Sequence, residues 1–167
     1  MAVREILLLG NPALNVRCPP VARDEAESLR TVVADMHDTL MDFRRRWGAG
    51  RAIAAPQIGV LKRLIYMHID SPVVLVNPRL ENLSTEMFEL WDDCFSFPHL
   101  LVKVRRHNSC RIVFRDLEWL EHSIDASFAM SELLQHECDH LDGILAVERA
   151  IDGRLFAYRS QRAFLEP

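Results

Sequence analysis

The chain is poor in lysine: Lys62 and Lys103 stand alone among 20 basic residues. Nearly all positive charge is arginine, a bias we read as genome composition rather than function. Acidic residues outnumber basic ones by 24 to 20, leaving a net charge of −4. That balance provides no global field for nucleic acid, so no sequence-specific nucleic-acid partner is expected. No apolar run approaches the ~20 residues that cross a bilayer, so no membrane partner is expected either. The start, M-A-V-R-E-I-L-L-L-G-N-P, lacks a basic n-region and a clear small-residue cleavage site, which argues against a signal peptide. Cys18, Cys94, Cys110 and Cys138 show no CxxC spacing and are expected to be reduced, in a cytoplasmic protein. Repeats, low-complexity tracts and linkers are missing too. The 167 residues suffice for one domain with a sizeable core, read here as a single catalytic domain over 1–167.

Apolar residues from Leu29 to Phe43 recur at three- and four-residue spacing, predicting a helix over 23–47. Asp24 and Glu27 resemble a capping box, and Gly48 a C-terminal stop. Arg44-Arg45-Arg46 falls in the last turn, where cations suit the helix dipole; a solvated helix end is preferred over a nucleic-acid patch. A loop (G-A-G-R-A-I-A-A-P-Q-I-G) follows. Strands are predicted over 63–69, 73–77 (ended by Pro78), 100–105 and 109–115. A second helix is predicted over 126–141, closed by Gly143, and one short helix in the tail from Asp152 to Pro167. The order shows no βαβ rhythm, which predicts an α+β fold with mainly antiparallel β-sheets around the second helix.

That helix carries H-E-C-D-H, His136 to His140. Positions i and i+4 share a helix face, so two imidazoles can close on one metal ion, with Glu137 in reach of a water as general base. Two solvated surface histidines are the bland alternative. Ala129 and Leu133 share the face and Met130 and Leu134 flank it, so the histidines point toward an apolar region. A catalytic metal needs a third protein ligand. Glu148 lies too near the helix end and no H-x-x-G-x-x-H extension exists, which weakens a metalloprotease reading. Cys94, within W-D-D-C-F-S-F-P (Trp91 to Pro98), is an upstream candidate because thiolate binds zinc and iron well. Core packing, a disulfide and a nucleophile are its other roles.

Three motifs together resemble the peptide deformylases, whose pattern is G-x-G-L-A-A-P-Q, E-G-C-L-S and H-E-x-D-H. This chain has G-R-A-I-A-A-P-Q (Gly50 to Gln57), D-D-C-F-S (Asp92 to Ser96) and Q-H-E-C-D-H (Gln135 to His140) in the same order. G-N-P-A-L-N-V and V-N-P (Val76 to Pro78) add to the likeness, which spans roughly residues 5 to 150. The resemblance implies that Cys94, His136 and His140 bind one divalent metal, Fe(II) in the cell with Zn(II) or Ni(II) able to replace it. It makes Glu137 the acid/base, and Gln57 and the Phe95 backbone N–H the oxyanion donors. Gly50, Ala52 and Ile53 would meet substrate, and Met130 and Leu133 would wall a methionine pocket or simply be core. The activity implied is removal of the formyl group from N-formylmethionyl peptides, releasing formate. The implied partners are that peptide and the ribosome exit region, with a monomer or dimer as the working form. A deformylase-like amidase for another N-acyl group, or a homologue that kept the metal but lost turnover, are the alternatives.

Departures from the pattern sit near the chemistry. Ala52 replaces a glycine and Ile53 a leucine. Asp92 replaces glutamate, and Asp93 replaces glycine, either facing solvent or pairing with Arg105 or Arg106. Trp119 and Phe128 are expected to reshape the pocket rim, and His99 to approach it. Cys138 is expected in the core.

Overall fold

The computed structural model describes residues 2–166, an α+β chain built from two helices and eight strands among those residues. Helices are α1 (Leu29–Trp47) and α2 (Phe128–Leu141). Strands β1 (Ala52–Ala54), β2 (Leu64–His68), β3 (Pro72–Glu81), β6 (Ser109–Arg115) and β7 (Glu121–Ser127) form one antiparallel sheet in the order β1-β2-β3-β6-β7. Strands β4 (Met87–Asp93), β5 (Leu100–His107) and β8 (Phe156–Tyr158) form a second, ordered β4-β5-β8. No helix among the described residues is long and apolar enough to cross a membrane.

The larger sheet is covered on both faces. Successive strand residues point to opposite sides. In β2, Ile65 and Met67 therefore pack with Leu133, Leu134 and Leu141 of α2, while Leu64 and Tyr66 pack with Met36 and Leu40 of α1. This two-sided burial explains why L-I-Y-M reads as a continuous apolar run rather than an alternating one. A third cluster, with Leu14, Phe97, Val102, Val104 and Leu145, lies against the smaller sheet and also holds Cys94. All four cysteines are free and buried.

Several boundaries differ from the sequence reading. Helix α1 starts at Leu29, six residues after Arg23, because a short 3-10 turn (Arg23–Glu25) precedes it. The reciprocal cap there uses Glu25, which accepts from the Ala22 N–H at 2.8 Å, not Asp24 with Glu27. Gly48 does end α1, at φ 67°. Arg45 and Arg46 pair with Asp42, but Arg44 is a brace: its guanidinium donates to the Gly50 and His68 carbonyls. Strand β3 runs through Pro78, because Asn77 takes φ 50° and the register with β6 shifts between Val76 and Arg79. Ala126 and Ser127 belong to β7, and α2 begins at Phe128. The tail forms β8 and a 3-10 helix (Arg159–Phe164); Pro167 lies outside the described residues.

Two ties hold the N-terminal segment to the site-bearing elements. The Leu7 N–H donates to the Gln57 carbonyl and the Leu9 N–H to the Ser96 carbonyl, both at 2.8 Å. At the far end of α2, Gly143 sits at φ +73°, and a Cβ there would stand 2.7 Å from the Asn15 backbone carbon. Gly143→Ala should therefore destabilise the chain by at least the ~1–3 kcal/mol of a strained backbone, read as a lower urea midpoint. An unchanged midpoint would show that this approach relaxes freely.

Candidate metal centre and cleft

Two elements bring the candidate ligands together. Cys94 follows the last residue of β4, and His136 and His140 lie one turn apart on α2. Cys94 Sγ is 3.3 Å from His140 Nε2, and the two Nε2 atoms are 3.2 Å apart. All three donors lie within 4.8 Å of one another and all three residues are buried. Donors held 2.0–2.3 Å from one tetrahedral ion stand about 3.3–3.6 Å apart, so the set has the size of a closed metal grip. Two buried imidazole nitrogens facing each other need a shared cation or proton between them. The residues fit a divalent ion, since thiolate and imidazole donors suit zinc and iron.

The surroundings orient these ligands. The Asp92 carboxylate accepts from His136 Nδ1 at 3.0 Å, fixing the tautomer that leaves Nε2 free. Arg106 donates to Asp92 at 3.2 Å and to Asp139 at 2.5 Å, and Arg149 donates to Asp139 at 2.8 Å. Burial opposes a charge on Asp92, but His136 and Arg106 outweigh it and hold its pKa at about 2. Burial likewise opposes a charge on His136, and the Asp92 carboxylate wins, raising that imidazole well above its ordinary value. Burial and the charge on His136 push His140 well below. A metal ion held by His136 Nε2 would take the place of the proton that Asp92 favours there.

Beside the ligands lies a cleft of about 240 Å³, lined by Cys94, His136, Glu137 and Gln57 at its inner end. Glu137 is 4% exposed and its Oε2 is buried without a hydrogen-bond partner. Burial pushes its pKa up to about 7, helped by Glu132 and Asp92 and opposed by His136. Gln57 lies on a 3-10 turn (Ala55–Ile58); its Oε1 accepts from the Ala54 N–H at 3.0 Å, which aims Nε2 toward Cys94 Sγ (3.5 Å) and Ser96 Oγ (3.3 Å). Phe95 stacks on Phe43 with ring centroids 3.8 Å apart.

Not every residue expected at the cleft lies there. Gly50, Ala52 and Leu133 line it; Ile53 and Met130 do not. Ile53 is one strand position from Ala52, so it points to the opposite face and is fully buried against α1. Met130 is turned off the His136 face and packs on the core between α2 and the large sheet. Trp119 packs toward α1 beneath the Arg115 guanidinium, and Phe128 stands exposed against Phe88, so neither shapes the rim. His99 meets the Trp47 ring edge-on, outside the cleft lining. Asp93 lines the cleft and pairs with Arg159 from the tail, not with Arg105 or Arg106. Its φ is not left-handed, so aspartate carries no backbone strain in place of glycine. Cys138 is core, with its thiol pushed up by burial.

Four residues of the cleft lining were not anticipated there: Phe43, Ala49, Arg51 and Glu132. Glu132 and Arg51 line the wall and form an ion pair at 2.7 Å. Glu132 lies four residues before His136, so helical periodicity alone places it on the ligand face.

The chain is similar to known proteins over most of its length. The family model for polypeptide deformylase matches residues 3–154. A peptide deformylase from Leptospira biflexa serovar Patoc is 35% identical, over 95% of this chain and 93% of its own. The crystal structure of peptide deformylase from Thermotoga maritima superposes with a TM-score of 0.83 at 26% identity, covering 91% of this chain and all (100%) of that one. A peptide deformylase from Synechococcus elongatus, solved in complex with actinonin, gives 0.82 at 27% identity, over 90% of this chain and 80% of that one. With the fold, the three motifs and these likenesses in agreement, the chain belongs to the polypeptide deformylase family.

Proposed function

We propose that this chain, working as one catalytic domain, removes the formyl group from N-formylmethionyl peptides through a metal held by Cys94, His136 and His140. As a family member it is a metal-dependent hydrolase. The observation that carries the assignment of roles is the meeting of those three donors, two of which, Cys94 and His136, line one cleft together with Glu137 and Gln57. Fe(II) is the proposed native ion, with Zn(II) or Ni(II) able to replace it, since thiolate and imidazole suit all three. When bound, the ion supplies Lewis acidity, which makes hydroxide available from water near neutral pH.

The rest of the work falls to side chains. The substrate peptide extends along β1, which among the described residues pairs only with β2 and stands at the edge of its sheet. Gln57 Nε2 and the Phe95 N–H donate to the formyl oxygen as negative charge develops on it. Glu137 takes the proton of the attacking water and returns it to the leaving amine nitrogen. A carboxyl poised near pH 7 serves both directions, and burial provides that poise. Formate and a free amino terminus result.

The test is formate release from formyl-Met-Ala-Ser by anaerobically purified, Fe(II)- or Zn(II)-loaded protein. Acetylated peptides should not react. Gln57→Leu should lower kcat by about 10²–10³ with little change in KM, as for loss of an oxyanion donor. An unaltered kcat would remove Gln57 from this role, and no turnover of any formyl peptide would refute the proposed reaction.

A further inference from the structure

We propose that the Arg51–Glu132 pair sets the preference for the substrate's first side chain, favouring carboxamide-type polar groups over apolar ones of the same shape. The inference rests on the deformylase reading above and adds a specificity to it.

The position follows from the cleft. In a formyl peptide the first side chain branches from the atom next to the scissile nitrogen, so it seats against the cleft lining beside Cys94, His136 and Glu137, and that lining includes Glu132 and Arg51. One turn from His136 along α2 is Glu132, on the same face. Arg51, between Gly50 and Ala52, completes that wall: one guanidinium nitrogen donates to Glu132 Oε2 at 2.7 Å and another to the Ala129 carbonyl at 2.8 Å. Elsewhere the lining is crowded by the stacked Phe43 and Phe95 rings, and a Cβ on Gly50 would meet Phe95 Cζ at 2.9 Å.

The chemistry follows from burial. Glu132's side chain is 7% exposed and Arg51's 42%, so water reaches the pair chiefly from the arginine side. An apolar side chain seated there displaces that water and returns no hydrogen bond. A carboxamide returns both kinds: its N–H₂ donates to Glu132 and its oxygen accepts from Arg51. Methionine, with a polarisable and weakly accepting sulfur, ranks between the two.

The experiment compares formyl-Gln-Ala-Ser, formyl-Met-Ala-Ser and formyl-norleucyl-Ala-Ser with metal-loaded protein. The glutamine peptide should exceed the norleucine peptide in kcat/KM by about tenfold, the worth of one net hydrogen bond. Arg51→Met combined with Glu132→Leu removes both charges together, so neither is left buried alone; it should reverse that order. Should the double variant fail to fold, Glu132→Gln serves instead: it frees the Arg51 charge and should raise turnover of formyl-Glu-Ala-Ser at least severalfold. The product tripeptides Gln-Ala-Ser and norleucyl-Ala-Ser, titrated calorimetrically into the Zn(II)-loaded protein, should show the same ranking in Kd. Ranked tripeptides without any formate release would sink the deformylase reading alone. Formate release with norleucine equal to or better than glutamine, or equal Kd values, would overturn the role of the pair.

Discussion

Glu137→Gln should keep one metal ion per chain and lose about 10²- to 10⁴-fold in turnover, the usual contribution of a positioned acid/base. The substitution changes neither size nor the three donors, so metal content measured by elemental analysis should match the parent. Stability should not fall. Glu137 Oε2 is buried with no hydrogen-bond partner, and an ionised carboxylate in that setting costs free energy that an amide does not. Thermal melting therefore separates loss of chemistry from loss of fold. Glu137→Ala should show the same loss of turnover with the metal retained. Turnover within a few-fold of the parent in either variant would remove Glu137 from the proton-transfer role.

Asp92→Ala is expected to have the largest effect on stability. Asp92 is 3% exposed and joins His136 Nδ1 to the buried Arg106 guanidinium. Truncation leaves Arg106, itself 3% exposed, with Asp139 as its remaining carboxylate. Breaking one side of a buried ion pair costs about 3–5 kcal/mol. The same change frees the His136 ring, and loss of such an orienting partner weakens metal binding about 10–100-fold. Asp92→Glu restores the carboxylate one methylene further out and should recover most of both losses. A melting point and metal affinity close to the parent in Asp92→Ala would show that Arg106 and His136 are held by other contacts.

Helix α2 and the histidine pair were legible in the sequence because both depend on short-range periodicity, and H-E-C-D-H places its own ligand face. Cys94, 42 residues before His136, was a ligand candidate by its thiolate chemistry, but only the motif resemblance singled it out as the third ligand. Strands β4 and β7 were not legible. M-F-E-L-W-D-D carries three acids and E-H-S-I-D-A-S is mostly polar, so neither shows an apolar face; pairing with β5 and β6 makes them strands. Pro78 suggested an end to β3 that the shift beside Asn77 avoids. Ile53 and Met130 were misplaced for a geometric reason. One step along a strand, or six along a helix, turns a side chain away from the cleft. Arg51 gave no local signal, because its partner Glu132 lies 81 residues away.

The division of the ligands between β4 and α2 has a consequence for folding. Cys94 belongs to the smaller sheet, and the histidines to the helix packed on the larger one. A metal bound by all three is a cross-link between the two halves of the molecule, closing a loop of 46 residues between Cys94 and His140. In the chain-entropy picture used for disulfides, a closure of that length is worth about 4 kcal/mol, gained by restricting the unfolded chain. Removing the ion would then do more than silence the cleft. It would unfasten the seam between the sheets, making that seam the first place where amide hydrogens exchange and proteases cut.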